Sequence, residues 1–394
     1  GVLHSTWQAA QVLQDVTLGT SAVSTAFVTL RGIAQVQIAQ QVQICNTTAW
    51  RVREAPERRD LIWRNVPSPL SQVRFRHRIG KCVSVLGVLF WFAPVKLLLE
   101  ISDLQSLSHH FHSIDDLEEW SPRTYWLLVE YMPTLALIML QAALPFIFEA
   151  LARKYEGHKS KSSIQSVVLN RCIAYQLASL YVVNVGRSLW DRLQGVVTLR
   201  LRFLDLLNTD LPKLSTYFFT FVLARAGITV PLYLLRPWMI PFMWSTDAVS
   251  YCDFGVEAAI STLVFVIGLT YSLIAPAILP ACLLYFTVAG IAYRWLFAVA
   301  YEQEFDGGGA IWYDLFNGVM IGMFLGTLVL SGICFHLGAT TVQIMCMVPL
   351  PCALGFFYNF CFNRLDGALK HLSLEDAVAM DASALVEVDP QLYV

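Results

Sequence analysis

The sequence predicts an all-α polytopic membrane protein of about eight transmembrane helices, with a small cytosolic segment of α+β character at its N-terminus. Composition is the first reason: of 394 residues 56% are hydrophobic and only 14% charged, with mean hydropathy +0.55, whereas a soluble domain carries about 25% charged residues. Length is the second, because apolar stretches recur that reach or approach the ~20 residues a helix needs to cross hydrocarbon. The third is charge placement, with Lys and Arg collecting beside alternate ends of those stretches as they do on a cytoplasmic face.

Residues 1–75 read as cytosolic. "TAFVTL" (25–30) is a strand-like run and "GIAQVQIAQQVQ" (32–43) a Gln/Ala-rich helix, an ordinary βα succession. From Arg51 to Lys81 nine Lys/Arg face three acids, Glu54, Glu57 and Asp60, and this block holds the start of the first span inside. The opening at Gly1 has no charged n-region followed by an apolar h-region, so no signal peptide is expected.

Within a transmembrane domain of residues 76–365, spans are expected near 79–101, 124–151, 165–193, 214–240, 257–275, 278–299, 314–335 and 340–362, which leaves both chain ends cytosolic. Arg153, Lys154, Lys159 and Lys161 follow the second span, and Arg294 and Arg364 lie near other inward ends. Asp115, Asp116, Glu118 and Glu119 fill the first outer loop. The loop after the third span departs from the rule, since Arg200, Arg202 and Lys213 outnumber Asp205 and Asp210. Pro276 and Pro280 in "YSLIAPAILP" fall between the fifth and sixth spans, where a tight hairpin near the outer surface spares the bilayer any helix break facing lipid. In the acidic tail, 366–394, Ser373 and Asp376 suit a helix start, while acidity and small residues equally suit disorder.

Polar residues inside the spans carry the functional question. Glu130, Thr134, Gln141 and Glu149 share one face of the second span. Asn184, Arg187, Ser188 and Asp191 do so on the third, Thr216, Thr220, Gly227 and Pro231 on the fourth, and Glu257, Ser261, Gly268 and Ser272 on the fifth. Four successive faces of this kind fit a shared water-accessible groove. They also fit interhelical glue and close packing through small residues.

Other motifs are set aside. A net charge of -2 gives no reason to expect nucleic acid. Nine cysteines lack a CxxC pair and lie mostly in apolar runs, so no disulfide framework, zinc site or other cofactor is expected. "HHFH" (109–112) reads as a solvated loop, and "NTT" (46–48) as a sequon on the wrong side of the membrane. "GVMIGMFLG" places Gly318, Gly322 and Gly326 at small-xxx-small spacing, the mark of closely packed helices. "YEQEFDGGGAIW" (301–312) lacks the alternating oxygen ligands of a calcium loop and reads as a flexible inner connection. With no nucleophile and base pair, Walker loop or HExxH, no enzyme is expected.

"AFVTL" with its Gln/Ala helix, "APERRDLIWRN" (55–65), "YEGHKSKS" (155–162), "YSLIAPAILP" and "YEQEFDGGGAIW" occur in an order and spacing that resembles the OSCA-type hyperosmolality-gated calcium-permeable channel family, over about residues 20–365. The resemblance implies an anoctamin-like fold of eleven spans, of which this chain would hold the last eight. It also implies the C-terminal part of a cytosolic domain like an RNA-recognition module. Function would be that of a mechanosensitive, osmotically gated cation channel with the pore inside each subunit, formed by the first five spans seen here. Glu130, Thr134, Gln141, Asn184, Thr216, Thr220 and Ser261 are then pore-lining candidates, and Gly227, Pro231 and Gly268 gating hinges. Asn184 matches an Asn of the family's "FFVN" and Gly227 a Gly of its "GWAG" region. Pro231 stands where many relatives have Glu, which puts strong calcium preference in question.

Partners implied are membrane lipids and conducted Na+, K+ and Ca2+, with a homodimer left open, in a eukaryotic plasma membrane. Direct gating by cytosolic calcium is not expected, because only Glu257 stands where an anoctamin-style switch would need several carboxylates. A phospholipid scramblase of the same fold and a structural membrane subunit of a larger assembly remain the alternatives. The apolar Leu137, Ile138, Leu140 and Leu144 around Gln141 favour ions over lipid head groups.

Overall fold

The computed structural model describes residues 25–30, 32–41, 52–91, 93–95, 97–98, 121–192, 215–235, 251–272, 274–309, 311–336, 338, 340–347, 349–370 and 372–383. All regular structure among them is helical. The helices are α1 (Ile33–Gln41), α2 (Leu70–Leu89), α3 (Pro122–Ala150), α4 (Lys161–Arg192), α5 (Ser215–Leu235), α6 (Phe254–Tyr271), α7 (Ile278–Ala300), α8 (Ile311–His336), α9 (Thr341–Met347), α10 (Pro349–Lys370) and α11 (Leu374–Ser383). Among the described residues, five stretches are long and apolar enough to cross a membrane: α5, α6, α7, Ile311–Gly332 of α8, and Met345–Arg364, which is mostly α10.

α6 sits at the centre. Its buried residues, among them Ala259, Ile260, Val264 and Ile267, cover most of the helix and leave Phe265 and Leu269 on its exposed side, the pattern of a helix packed on by several others. α4 and α8 pack on it and on each other, α3 lies against α4, and α5 pairs chiefly with α7. Gly318 and Gly322 explain how α8 comes so near: a Cβ would meet Ile173 of α4 at 2.4 Å and Val266 of α6 at 2.3 Å. The glycine spacing read from the sequence is thus a packing device.

The two prolines behave as expected. α6 ends at Tyr271 and α7 begins at Ile278, with Ala275 N–H bonded to Tyr271 O and Ile278 N–H to Ala275 O, so the chain reverses in a tight turn. Pro280 falls in the first turn of α7, where its missing N–H would have had no helical partner anyway.

Three helices contain wide turns. α3 runs on through Leu151–Glu156 and stops at Gly157, whose φ of 68° is open to glycine at little cost. In α5 the wide turn covers Arg225–Thr229, with Val230 N–H reaching back to Arg225 O. Pro231 supplies the cause, because it has no N–H for the Gly227 carbonyl one turn earlier. A third closes α7 at Leu296–Ala300.

One expectation is corrected. Residues 25–30 form no strand, and the described residues contain no sheet, only an isolated bridge between Leu61 and Ser160. The segment has strand-like side chains but no ladder partner among the described residues. Its Thr25 hydroxyl instead donates to Val66 O and accepts a hydrogen bond from Lys159 Nζ. The Gln/Ala helix does form, as α1. The acidic tail is helical over Leu374–Ser383, with Ser373 and Asp376 making a reciprocal cap, Asp376 N–H to Ser373 Oγ at 3.1 Å and the hydroxyl back to the carboxylate at 2.5 Å. It docks on α1.

Candidate functional site

Within the span bundle, α6 turns Glu257 and Ser261, one helical turn apart, towards α7. Tyr293 donates to the Glu257 carboxylate, and the Ser261 and Tyr285 hydroxyls lie 3.4 Å apart. Tyr285 and Tyr293 share a face of α7, and Tyr233 of α5 reaches the same carboxylate. Arg225 completes the cluster. It is 5% exposed, its guanidinium lies over the Phe221 ring at 5.3 Å from the centroid, its Nε has no hydrogen-bond partner, and its charge is felt at Glu257. A carboxyl group, a guanidinium and three phenols thus lie where α5, α6 and α7 adjoin, in a region too apolar to hold ionisable groups without a reason. The position of Arg225 in the wide turn ahead of Pro231 ties this charge to the one irregularity of α5.

Of the sequence-derived candidates, Ser261 joins this cluster. Gln141 is half-buried on α3 and its carbonyl oxygen lacks a partner; so does that of buried Gln176 on α4. Buried polar atoms without partners are costly in an apolar bundle. Thr220 is half-buried and Thr216 exposed on α5. Gly227 lies within the wide turn with nothing near its absent Cβ, while a Cβ on Gly268 would stand 3.2 Å from Cys282 Sγ. The side chains of Glu130, Thr134 and Asn184, like the "HHFH" and "NTT" motifs, lie outside the described residues.

Arg225, Tyr233, Tyr285, Tyr293 and Gln176 were missed by the sequence reading. Arg225 had a signal: a lone charge in the apolar run "FVLARAGITV". The tyrosines had a weaker one, their spacing on one face of α7.

A second assembly lies where α2 and α4 begin. Asp60 accepts from Ser162 N–H at 2.7 Å and from its hydroxyl at 2.6 Å, capping α4. Ile62 N–H bonds Lys159 O, and Asn65 donates to His158 O and Arg153 O. Glu57 accepts from Asp306 N–H at 2.6 Å, and Lys161 pairs with Glu304 at 2.5 Å. The "APERRDLIWRN", "YEGHKSKS" and "YEQEFDGGG" motifs therefore form one clasp, in which Glu304 and Asp306 anchor the acidic part of the inner connection. Glu156 lies beneath, bonded to Arg171 and His158. Burial acts to raise its pKa, but these hydrogen bonds outweigh it and hold the carboxyl below its ordinary range. Glu57 is also held low, by the Asp306 N–H first and Arg59 next.

Residues 76–334 match the family model described as the seven-transmembrane region of calcium-dependent channels. The chain belongs to this family. The matched region begins within α2 and ends within α8, so it takes in seven helices of this fold. Membership is in a family of channels rather than enzymes. Among curated relatives, the chain is 27% identical to hyperosmolality-gated Ca2+ permeable channel 1.5 of Arabidopsis thaliana over 92% of its own length and 50% of the relative's. It is 27% identical to channel 3.1 of the same plant, over 88% and 49%. With the CSC1-like protein ERD4 of Brassica juncea it shares 26% identity, over 86% and 48%. The chain spans about half the length of the curated relatives it matches.

Proposed function

We propose that this chain carries the ion-conducting part of an osmotically gated, calcium-permeable cation channel that responds to membrane tension. Family membership and the names of its relatives support the class of activity. The observation that carries it within the chain is the Glu257, Arg225 and tyrosine cluster beside the wide turn of α5. A carboxylate buried among spans favours cations in a pore. A helix whose hydrogen-bond ladder is already broken at Gly227 and Pro231 has two accessible arrangements, and tension favours whichever occupies more membrane area. The pore runs within one subunit, lined by α3, α5 and α6 through Gln141, Thr220 and Ser261, in an anoctamin-like bundle of eight spans with both ends cytosolic. Gly227 is the hinge.

The test is pressure-clamp recording from liposomes holding the full-length protein, with a fluorescent lipid-flip assay in parallel. Tension-evoked cation current without lipid flip is the expected result. Lipid flip without current would replace the channel by a scramblase, and neither activity would leave a structural membrane subunit.

A further inference from the structure

His77 of α2, Glu156 at the end of the wide turn after α3, and His158 just ahead of α4 offer three ligand atoms that lie within 4.8 Å of one another. We propose that they form a zinc site, which clips α2 to the connection between α3 and α4 and which no sequence motif announces.

The three donors stand within reach of one ion and need a turn of the rings to bind it together. His158 Nε2 stands 3.1 Å from Glu156 Oε2, close to the ~3.3 Å that separates two ligands of a tetrahedral ion at Zn–N and Zn–O distances of about 2.0–2.1 Å. The other ring nitrogen of His158 is 3.2 Å from the Ser163 hydroxyl. That hydroxyl donates its own proton to Ser160 O at 2.8 Å, so it accepts from Nδ1–H. With Nδ1–H held in this way, the ion takes the Nε2 lone pair as binding displaces the Nε2 proton that bonds Glu156, leaving the outer-sphere arrangement that metal-bound histidines use. Glu156 is buried, at 1% exposure. Its Oε1 is held by Arg171 Nη2, and its Oε2, which faces His158 Nε2 at 3.1 Å, exchanges that hydrogen bond for the ion. The third ligand is His77, whose Nε2 is buried and has no hydrogen-bond partner. Its ring stacks on that of His158 at 4.2 Å between centroids and 20° between planes, so the two rings must turn apart for both in-plane lone pairs to meet one ion.

Two nitrogens and one carboxylate select a borderline ion such as zinc over calcium or magnesium, which demand more oxygen ligands. The backbone makes room for the site: Gly80, one turn beyond His77, carries no Cβ where one would fall 1.8 Å from Glu156 Oε1. A side chain there would push Glu156 out of reach.

The experiment uses full-length protein in detergent, stripped with a chelator and dialysed against zinc, with bound metal counted by mass spectrometry. Cobalt substitution then gives the visible spectrum of the site. Wild type should retain one ion per chain and give a four-coordinate spectrum of nitrogen and oxygen ligands. H77Q, which keeps side-chain volume, and H158Q should each weaken binding by far more than tenfold while circular dichroism stays unchanged. S163A should weaken it about 10- to 100-fold, as loss of an outer-sphere partner does. A triple alanine variant of His109, His110 and His112 should bind like wild type. Zinc should also raise the melting temperature of wild type but not of H77Q/H158Q. Equal zinc retention by wild type and H77Q/H158Q, or loss of the ion in the loop-histidine variant alone, would overturn the assignment.

Discussion

Asp60 caps α4 from a segment a hundred residues away in sequence, its two carboxylate oxygens taking the N–H and the hydroxyl of Ser162. The group is 1% exposed, so water cannot replace it. Asp60→Ala should cost about 0.5–2 kcal/mol through the lost cap alone, while Asp60→Asn keeps an acceptor for the N–H and should lose less. Thermal unfolding in detergent, followed by tryptophan fluorescence, orders the three proteins. An alanine variant as stable as wild type would show that α4 does not depend on this cap.

Gly255 lies in the first turn of α6 beside α4, where a Cβ would lie 2.6 Å from the Gln165 carbonyl oxygen, a backbone atom that no rotamer change can move. Gly290 on α7 has nothing within 4 Å of the same position. Gly255→Ala should therefore destabilise by about 1–3 kcal/mol, as overpacking does, and Gly290→Ala should be neutral or slightly stabilising. Melting curves of the two variants should separate clearly; coincident curves would mean the α4–α6 contact is slack.

The parts of the fold legible in the sequence are those written in local spacing. Pro276 and Pro280 marked the α6–α7 reversal, Gly318 and Gly322 marked the close approach of α8, and Ser373 with Asp376 marked the start of α11. Residues 25–30 show the limit of the same method, because β-branched and aromatic side chains make a segment suitable for a strand without supplying an edge to pair with. The clasp was illegible for a different reason. Asp60 with Ser162, Glu57 with Asp306 and Lys161 with Glu304 join stretches far apart in the chain, and nothing in the spacing of one stretch encodes its partner. Glu257 was read as one member of a polar stripe along α6, but its partners Tyr293, Tyr233 and Arg225 come from two other helices.

α1 and α11 meet through Asp381, which accepts from Ile33 N–H at 2.8 Å and Ala34 N–H at 2.9 Å and so caps the first helix with the last. Gly32 admits it, since a Cβ there would stand 2.7 Å from the carboxylate. Asp381→Ala should free the two helices from each other, and hydrogen exchange should speed up in residues 33–41 and 374–383 together, consistent with a loss of about 1 kcal/mol. Faster exchange in one segment only would mean they are held by separate contacts.

Glu257 offers the sharpest test of conduction. Its carboxylate faces a nearby guanidinium and phenol donors within the span bundle, and a buried charge of this kind is retained where it meets an ion or balances a fixed one. If it meets ions, Glu257→Gln should lower calcium over sodium permeability several-fold, because the amide keeps the hydrogen bond from Tyr293 but loses the charge. Tyr293→Phe should leave selectivity near wild type, since the carboxylate stays. Balance of Arg225 alone predicts a different outcome, with Glu257→Gln destabilised by the orphaned cation and no change in selectivity in the channels that survive. Reversal potentials under bi-ionic calcium and sodium, measured at equal tension, separate the two. Unchanged permeability in Glu257→Gln would remove this cluster from the conduction path.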